Sequence, residues 1–420
     1  MKVSEGFGMI CPSERAAAQG QLAEFLPWVT RYARDRNAVV PGHAAVSRLS
    51  PAIRHRVVSE GEVSEAVLRA YPLARVEKFV QEVYWRRYWK AYLALRPELW
   101  TGYRAALAEV LRGGGGEILE RADRCELGNS VMDHFARELV ETGYLHNHAR
   151  MWFAGWWIHE ARWPWELGAA FFHAHLLDGD PASNTLSWRW VAGLQTPGKT
   201  YLTRRANLEK YLAPEQLAAL DEGLAALENP RALVPAAAAR TPVSQPDLEI
   251  FPLDASLATG LWIHEDDLSA ETSLAAGMKF ECIWVAGQAA AWSALDFPVP
   301  KQDWLKRALA DAARRAEAHW QVAVTRQDGF DLVGDLIEWA QAQRLAQVVA
   351  LRPEVGPLAD ELATGRARME AAGIRLVLVD RPEDVALRPL ANGGFFQFWE
   401  KLVKRGLVAG VPAQQLSLGI

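Results

Sequence analysis

Apolar side chains in residues 1–229 recur three and four positions apart, which is the spacing of one face of an α-helix. The pattern is clearest over 14–35 and 75–95. It continues over 128–212, where the breaks fall near Pro164, at Gly179–Pro181 and at Pro197–Gly198. The first part of the chain is therefore predicted to be all-α.

Three local features refine this prediction. Ser50 precedes Pro51, and both Ser50 and Ser64 are expected to cap helices, because a hydroxyl can accept the unpaired N–H groups of a first turn. Residues 113–116 are four glycines in a row, which we interpret as a flexible connection. This stretch lacks the Lys-Ser/Thr ending of a phosphate-binding loop.

The pattern changes after residue 229. Residues 230–249 are rich in Ala and Pro and have no periodicity, as in an interdomain linker. Beyond them, helical patterns alternate with apolar runs that predict buried strands, namely GLWIHE, FECIWVAG, AQVVAL and IRLVLVD. Because this alternation is typical of βαβ units, residues 250–420 are predicted to form a Rossmann-like α/β domain with a parallel sheet, although no Gly-x-Gly-x-x-Gly follows its first strand.

Composition narrows the function classes. With a net charge of −5, any DNA contact requires a local basic patch. Cys11, Cys125 and Cys282 are far apart, so a Cys-x-x-Cys metal or iron–sulfur motif is excluded and a reduced cytoplasm is the expected location. We find neither a signal peptide nor the run of about 18 apolar residues that spans a membrane. The 18 tryptophans are the compositional outlier.

One stretch combines charged, amide and aromatic side chains. Residues 142–190 contain the basic residue Arg150, the two carboxylates Asp178 and Asp180, the amide Asn184 and seven tryptophans. Such a mixture suits a large polar aromatic cofactor, and it equally suits a tryptophan-rich core. His173 and His175 lie in the same stretch, but side chains two positions apart on a helix point to different faces, so no metal is predicted.

Four motifs in order resemble the FAD-binding domain of the DNA photolyase/cryptochrome family. They are RYARDRN followed by SRLSP, FVQEVYWRRYW, TGYLHNHARM and DGDPASNTLSWRWVAG. Each is weak alone, but their order between Tyr32 and Leu212 makes the resemblance specific. Later segments resemble the family's antenna domain, namely GLWIHEDDLSAETSLA, RMEAAGIRLVLVDRPEDV and GGFFQFWEKLVKR. Since that domain ordinarily precedes the flavin domain, the resemblance implies a circularly permuted domain order.

The resemblance implies that this chain binds FAD. The matching pair Arg150–Asp178 lies beside the flavin in the family, and the Asn184 amide faces flavin N5. Without the resemblance, that pair is a simple structural ion pair and Ser50 an ordinary helix cap. The positions implied for FAD are Tyr32, Ser47, Arg48, Leu49, Ser50, Phe79, Glu82, Arg86, Asn147, Arg150, Asp178, Gly179, Asp180 and Asn184.

The same resemblance implies contacts to a flipped-out cyclobutane pyrimidine dimer in UV-damaged DNA. The matching positions are Arg36, Glu82, Trp85, Asn147, Met151 and Trp190. Aromatic faces, a carboxylate, an amide and a thioether suit the stacking and edge contacts of bases. The alternative is that Trp85, Met151 and Trp190 are core residues. His148 replaces a family arginine, which weakens the expected phosphate contacts.

Trp165 and Trp188 match two members of the family's tryptophan electron-transfer chain. Trp188 lies four residues after Asn184, so both can lie on one helical face. The outer member has no counterpart, and the candidates to replace it are Trp163, Trp157 and Trp100. Trp152 and Trp156 are expected to fill the core.

The α/β part departs most from the family. Its paired arginines are replaced by His264, Glu265 and Asp266, and the folate-binding Y-E-V-N-E aligns with PEVGP at 353–357. These departures favour a scaffold without an antenna chromophore, while a second chromophore stays open.

Two functions follow from the resemblance. The leading one is a light-dependent flavoprotein that repairs pyrimidine dimers by electron transfer from reduced FAD, a deoxyribodipyrimidine photolyase and thus a carbon–carbon lyase. The alternative is a cryptochrome-like blue-light photoreceptor that binds FAD and signals through a protein partner. The acidic net charge, His148 and the domain order favour the receptor, and the retained dimer contacts favour repair. A chain that binds FAD without turnover is a further alternative.

Overall fold

The first part of the chain is helical, as predicted. A computed structural model describes residues 11–195, 200–233, 241–244, 253–327 and 331–410. The α-helices in its first part are α1 (Arg15–Phe25), α2 (Tyr32–Asp35), α3 (Ser50–Arg54), α4 (Glu60–Ala70), α5 (Leu73–Ala94), α6 (Glu98–Val110), α7 (Gly116–Asp123), α8 (Ser130–Thr142), α9 (Asn147–His159), α10 (Trp165–His175), α11 (Pro181–Val191), α12 (Arg205–Tyr211), α13 (Pro214–Ala219) and α14 (Asp221–Ala225). The predicted break at Pro197–Gly198 lies outside the described residues.

The second part contains a five-stranded parallel sheet, which confirms the predicted fold class. Its strands are β1 (Thr259–Ile263), β2 (Cys282–Val285), β3 (Ala323–Arg326), β4 (Gln347–Leu351) and β5 (Arg375–Val379), in the order β3-β2-β1-β4-β5. The accompanying helices are α15 (Ala289–Ala294), α16 (Val299–Trp320), α17 (Leu332–Ala342), α18 (Pro357–Ala371), α19 (Pro382–Leu387) and α20 (Phe395–Lys404). Strand β3 was not predicted, because this edge strand is largely exposed and carries no buried apolar run.

Two predicted helix caps are wrong. Ser50 is the first residue of α3, and that helix has no side-chain cap. Ser64 lies inside α4, which is capped by Ser59. The Ser59 hydroxyl accepts from the Glu62 N–H at 3.1 Å while the Glu62 carboxylate accepts from the Ser59 N–H at 2.8 Å. This reciprocal pair satisfies two orphan donors, which is why the helix is capped five residues earlier than predicted.

The prediction of a flexible connection at 113–116 is also wrong. A π-helical turn, Leu111–Gly115, joins α6 to α7 through a kink at Gly114. Gly114 has φ 95°, a left-handed conformation that glycine adopts without strain. At Gly115 a Cβ atom would lie 2.9 Å from a Val110 methyl carbon and 3.0 Å from one of Leu167. The glycines therefore allow a tight turn that packs closely on α10.

The helical and α/β parts share a buried core. Apolar side chains of α1, α4 and α5 pack with those of one sheet face and of α16 and α20. A buried ion network joins the same surfaces. Arg56 pairs with Asp267 at 3.0 Å and with Asp384 at 2.7 Å, Arg87 also pairs with Asp384, and Arg381 pairs with Asp267 at 2.7 Å. The helical part thus precedes a sheet domain that packs against it, and the proposed permutation and the predicted limits 1–229, 230–249 and 250–420 stay predictions.

None of the helices in the described part of the chain is long and apolar enough to cross a membrane.

Candidate functional site

A cavity of about 1040 Å³ opens between α5, α11 and the segment before α3. It lies at the upper end of the ~300–1,000 Å³ typical of small-molecule sites, so a ligand of dinucleotide size can be accommodated. Of the residues predicted for FAD, those lining it are Tyr32, Ser47, Arg48, Leu49, Ser50, Glu82, Arg86, Asn147, Arg150, Asp178 and Asn184. The residues predicted for the lesion also line it, namely Arg36, Glu82, Trp85, Asn147, Met151 and Trp190. Positions from four separate motifs therefore converge on one cavity.

Three residues predicted for FAD do not line this cavity. Phe79 is buried behind it, with its ring centroid 5.1 Å from that of Tyr32. Asp180 caps α11, accepting from the Ser183 N–H at 2.7 Å. Gly179 is enclosed by backbone, since an added Cβ would lie 2.8 Å from the His173 carbonyl oxygen. In this structure these three residues support the cavity wall from behind.

Asp178 is the acidic centre of the cavity. Its carboxylate lies 2.9 Å from the Arg150 guanidinium and 3.4 Å from that of Arg86. Burial alone would raise the pKa of Asp178, but the two guanidinium groups hold it below its ordinary value. Asp178 is therefore ionised at neutral pH and fixes two cations at the floor of the cavity.

Glu82 is held by two cations at the side of the cavity. Its carboxylate lies 2.5 Å from the Arg36 guanidinium and 3.1 Å from the Lys78 ammonium. All three side chains are about one quarter exposed, so the cluster is in contact with solvent. A base that hydrogen-bonds to Glu82 would meet a carboxylate that is already oriented.

Several polar atoms on the cavity wall are suited to a polar ligand. Arg86 Nη1, Arg48 Nε and Ser183 Oγ are buried and have no hydrogen-bond partner among the described residues. Buried polar groups are nearly always paired, so these atoms indicate a missing partner. Asn184 donates through Nδ2 to the Ala169 carbonyl at 2.7 Å, which leaves its Oδ1 available as an acceptor. The donor set thus fits a large ligand with phosphate and carbonyl oxygens.

The cavity has a positive balance of charge although the chain is acidic overall. Among its described lining residues, the cationic side chains are Arg36, Arg48, Lys78, Arg86, Arg96, Arg150 and Arg189, and the acidic ones are Glu82 and Asp178. This is the local basic patch that a chain of net charge −5 requires to bind a polyanion.

His148, the residue that replaces a family arginine, is directed into the core. Its ring stacks on Trp152 at 4.4 Å, and its Nδ1 lies 3.0 Å from the Asn37 carbonyl oxygen. Trp152 is fully buried, as predicted for a core residue. His148 therefore fills space between helices and offers no charge to the cavity.

A row of tryptophans leads from the cavity toward the surface. Trp188 lines the cavity, and its ring centroid lies 6.1 Å from that of Trp157. Trp157 lies 4.9 Å from Trp163, which is half-buried and has the Arg121 guanidinium 5.4 Å from its ring centre. Trp157 and Trp163, two of the candidates to replace the missing outer tryptophan, therefore follow Trp188 in this row.

Trp165 lies on a separate aromatic branch. Its ring is 5.5 Å from Tyr103, which is 5.6 Å from Trp100. No ring contact joins Trp165 to Trp188 among the described residues, and Trp165 does not line the cavity. The motif match identified Trp165, whereas the packing favours Trp157 as the neighbour of Trp188.

The carboxyl end of β1 is occupied by the protein's own contacts. His264 lies 2.7 Å from the Leu351 carbonyl oxygen, and Asp266 pairs with Arg54 at 2.8 Å. The Glu265 carboxylate accepts from the Trp292 indole N–H and from the Gln288 N–H, both at 2.9 Å. Burial raises the pKa of Glu265 to about 7. This edge is where ligands bind in open α/β sheets, and here polar side chains fill it.

His173 and His175 diverge, as the helical spacing predicts. His175 pairs with Asp123 at 2.8 Å, whereas the His173 ring packs edge-on against Phe297. No group of three or more His, Cys, Asp or Glu side chains that could hold a metal occurs in the described part of the chain.

Sequence reasoning missed the contribution of the α/β part to the cavity. Residues 392–395 and Gln397, just before and within α20, line the cavity beside Trp85. The Phe395 ring stacks on Trp85 with centroids 3.8 Å apart and planes 9° from parallel. No signal near Trp85 could have revealed this contact, because the two residues are far apart in the chain.

The chain is similar to known proteins over part of its length. A family model for the FAD binding domain of DNA photolyase matches residues 79–214. The deoxyribodipyrimidine photo-lyase of Synechococcus sp. is 30% identical over 190 residues, which are 43% of this chain and 39% of the relative. That of Thermus thermophilus is 34% identical over 194 residues, 45% of each chain. The chain therefore spans less than half the length of these curated relatives.

A solved structure is also similar. The bacterial class III photolyase from Agrobacterium tumefaciens is 25% identical over 47% of this chain and 42% of its own, with a TM-score of 0.39. The match to the family model falls on the helical part, which supplies most of the cavity lining. Residues 79–214 are thus a photolyase-type FAD-binding domain with FAD as its cofactor, and this part of the chain is similar to the photolyase/cryptochrome family.

Proposed function

We propose that this chain is a light-dependent flavoprotein that splits cyclobutane pyrimidine dimers in UV-damaged DNA. The observation that carries the proposal is the convergence of the FAD positions and the lesion positions on one cavity. The matched relatives are named deoxyribodipyrimidine photo-lyases, which supports the same activity. When bound, reduced FAD would supply the absorption of light and the transfer of one electron to the dimer, and the electron would return after the two bonds of the cyclobutane ring have broken.

The chain's own residues bind and orient FAD. Arg86 and Arg48 present buried N–H donors that suit the diphosphate, and Ser183 presents a buried hydroxyl; these atoms have no hydrogen-bond partner in the described parts of the chain. Arg150 and Asp178 line the same cavity as Asn184. A fixed ion pair and an amide beside the ring tune a flavin through charge and hydrogen bonds rather than through acid–base chemistry.

The mouth of the cavity receives the lesion in this proposal. Trp85 and Trp190 offer aromatic faces, Met151 an apolar surface, and Asn147 and Glu82 hydrogen-bonding groups. Stacking of this kind is worth about 1–3 kcal/mol per base. The surrounding arginines and Lys78 would attract the phosphates on either side of the dimer.

Electron supply to FAD is assigned to Trp188, Trp157 and Trp163. The assignment rests on ring-centroid distances of 6.1 and 4.9 Å and on the partial exposure of Trp163. Trp165, which the motif match indicated, is proposed as a packing residue of α10. The α/β part is proposed to carry no antenna chromophore, because side chains occupy the end of β1.

A second candidate function is a blue-light photoreceptor that binds FAD and signals through a protein partner. The orientation of His148 into the core favours it, because a phosphate contact expected for repair is missing. This candidate needs FAD and the tryptophan row but no dimer.

The experiment that separates the two uses purified full-length protein. Bound flavin is measured by its visible absorption, and the reduced protein is then illuminated with a single-stranded oligonucleotide that contains one dimer. Repair predicts light-dependent loss of the dimer and none in the dark. Bound FAD that is photoreduced without any loss of dimer would refute repair and leave the photoreceptor. Protein that cannot be loaded with FAD would refute both.

A further inference from the structure

The stack of Phe395 on Trp85 is a contact between the two parts of the chain inside the cavity. Trp85 belongs to α5 of the helical part and Phe395 begins α20 of the α/β part. A centroid separation of 3.8 Å with nearly parallel planes means that the two rings overlap face to face. One face of Trp85 is therefore covered by protein, so a ligand in the cavity can reach only the remainder of the ring.

The segment that carries Phe395 is fixed to α5 and to Arg96, which follows that helix. Arg96 donates to the Ala391 carbonyl at 3.3 Å and to the Asn392 carbonyl at 2.9 Å. The Tyr88 hydroxyl donates to the Gly393 carbonyl at 2.8 Å. Three hydrogen bonds just before α20 thus hold the start of the helix against the cavity wall.

Phe395 itself is packed as a core residue. Its side chain is buried, and its ring centroid lies 5.6 Å from that of Tyr88. The next residue, Phe396, is 66% exposed, so α20 places one ring inward and the neighbouring ring in solvent. A side chain that is this well packed does not act as a gate. It acts as a rigid backing for the ring in front of it.

We infer that Phe395 is a positioning residue, which holds the Trp85 ring so that the part of the ring that lines the cavity is presented to a nucleobase. The nucleobase rests on the proposed function, whereas the orientation of Trp85 rests on the structure alone. A pre-oriented aromatic loses little freedom when a base stacks on it, so the backing ring strengthens binding without touching the ligand. The α/β part then contributes to lesion recognition from outside the matched FAD-binding domain.

The test compares Phe395→Leu with Phe395→Tyr and with Phe398→Leu as the matched control. Phe398 is buried in the same helix, does not line the cavity, and has no ring contact with Trp85 among the described residues. Dissociation constants are measured for an oligonucleotide with one dimer. Phe395→Leu is expected to weaken binding about two- to tenfold, the range for loss of one aromatic pair. Phe395→Tyr restores wild-type binding, and Phe398→Leu retains it.

A second readout needs no DNA. The proteins are labelled with 5-fluorotryptophan, and the ¹⁹F resonance of Trp85 is assigned by its loss in Trp85→Phe. Phe395→Leu is expected to shift and broaden that resonance, whereas Phe398→Leu leaves it in place. An unchanged Trp85 resonance in Phe395→Leu would overturn the inference, whatever happens to binding. If the wild-type protein binds no dimer but the Trp85 resonance still changes in Phe395→Leu, the proposed function is refuted and the positioning role stands.

Discussion

Glu265 makes the stability of the protein depend on pH in an unusual direction. Its carboxyl is buried at the end of β1, and its pKa is raised from 4.5 to about 7, chiefly by burial. Between these two values the unfolded chain is ionised at this position while the folded chain keeps the proton. The folded state therefore binds more protons, so its stability falls as pH rises through this window.

The magnitude follows from the size of the shift. One pKa unit corresponds to about 1.4 kcal/mol, so raising the pH from about 5 to about 8 should remove roughly 2–3 kcal/mol of stability through Glu265. Glu265→Gln cannot titrate and should lose this slope. The exposed Glu281 offers the matched control Glu281→Gln, which should keep it.

Urea unfolding monitored by tryptophan fluorescence measures this effect. The quantity compared is the change in the free energy of unfolding between the two pH values for wild type, Glu265→Gln and Glu281→Gln. Equal pH dependence in wild type and Glu265→Gln would refute the reasoning, because another group would then be responsible for the slope.

Three further predictions concern electron supply, the domain contact and the cofactor. Trp157→Phe should slow photoreduction of bound FAD more than Trp152→Phe does, measured by flavin absorbance under blue light; equal rates would exclude this route. Asp384→Asn removes a carboxylate shared by two buried arginines and should lower the free energy of unfolding by about 3–5 kcal/mol. In the same urea assay, loss of the exposed Arg368–Asp331 pair should lower it by less than about 1 kcal/mol. Similar losses for the two changes would contradict the role of the buried network. Arg150→Ala should weaken FAD binding by about tenfold or more, read from the flavin-to-protein absorbance ratio, and undiminished loading would contradict its role.

Most of the fold could be predicted because the buried elements carry strong periodicity. Helices α1 and α5 and strands β1, β2, β4 and β5 match apolar patterns in the sequence. The edge strand β3 could not be found this way, since the physical signal is burial and its residues are largely exposed. The glycines at 113–116 misled for a related reason. Glycine permits both flexibility and close packing, and only the neighbours Val110 and Leu167 decide between them.

The cavity could be predicted where its residues lie within contiguous motifs. Arg150 and Asp178 are 28 positions apart, yet each lies in a motif that fixes its place. The tryptophans proposed to supply electrons were harder to predict from the sequence, because a row of rings is defined by distances between helices. The sequence could name Trp157 and Trp163 only as alternatives. We propose them because Trp157 packs against Trp188 and Trp163 packs against Trp157 in the structure. The contact of Phe395 could not be inferred, since it depends on how the α/β part docks.

The wavelength dependence of dimer loss tests the central claim most directly. The full-length protein with bound FAD is reduced and illuminated at a series of wavelengths with a dimer-containing oligonucleotide, and the initial rate per absorbed photon is determined. We predict that dimer loss follows the absorption of the bound reduced flavin alone, without a band from a second chromophore. No dimer loss at wavelengths that the flavin absorbs, or loss that proceeds equally in the dark, would contradict the account.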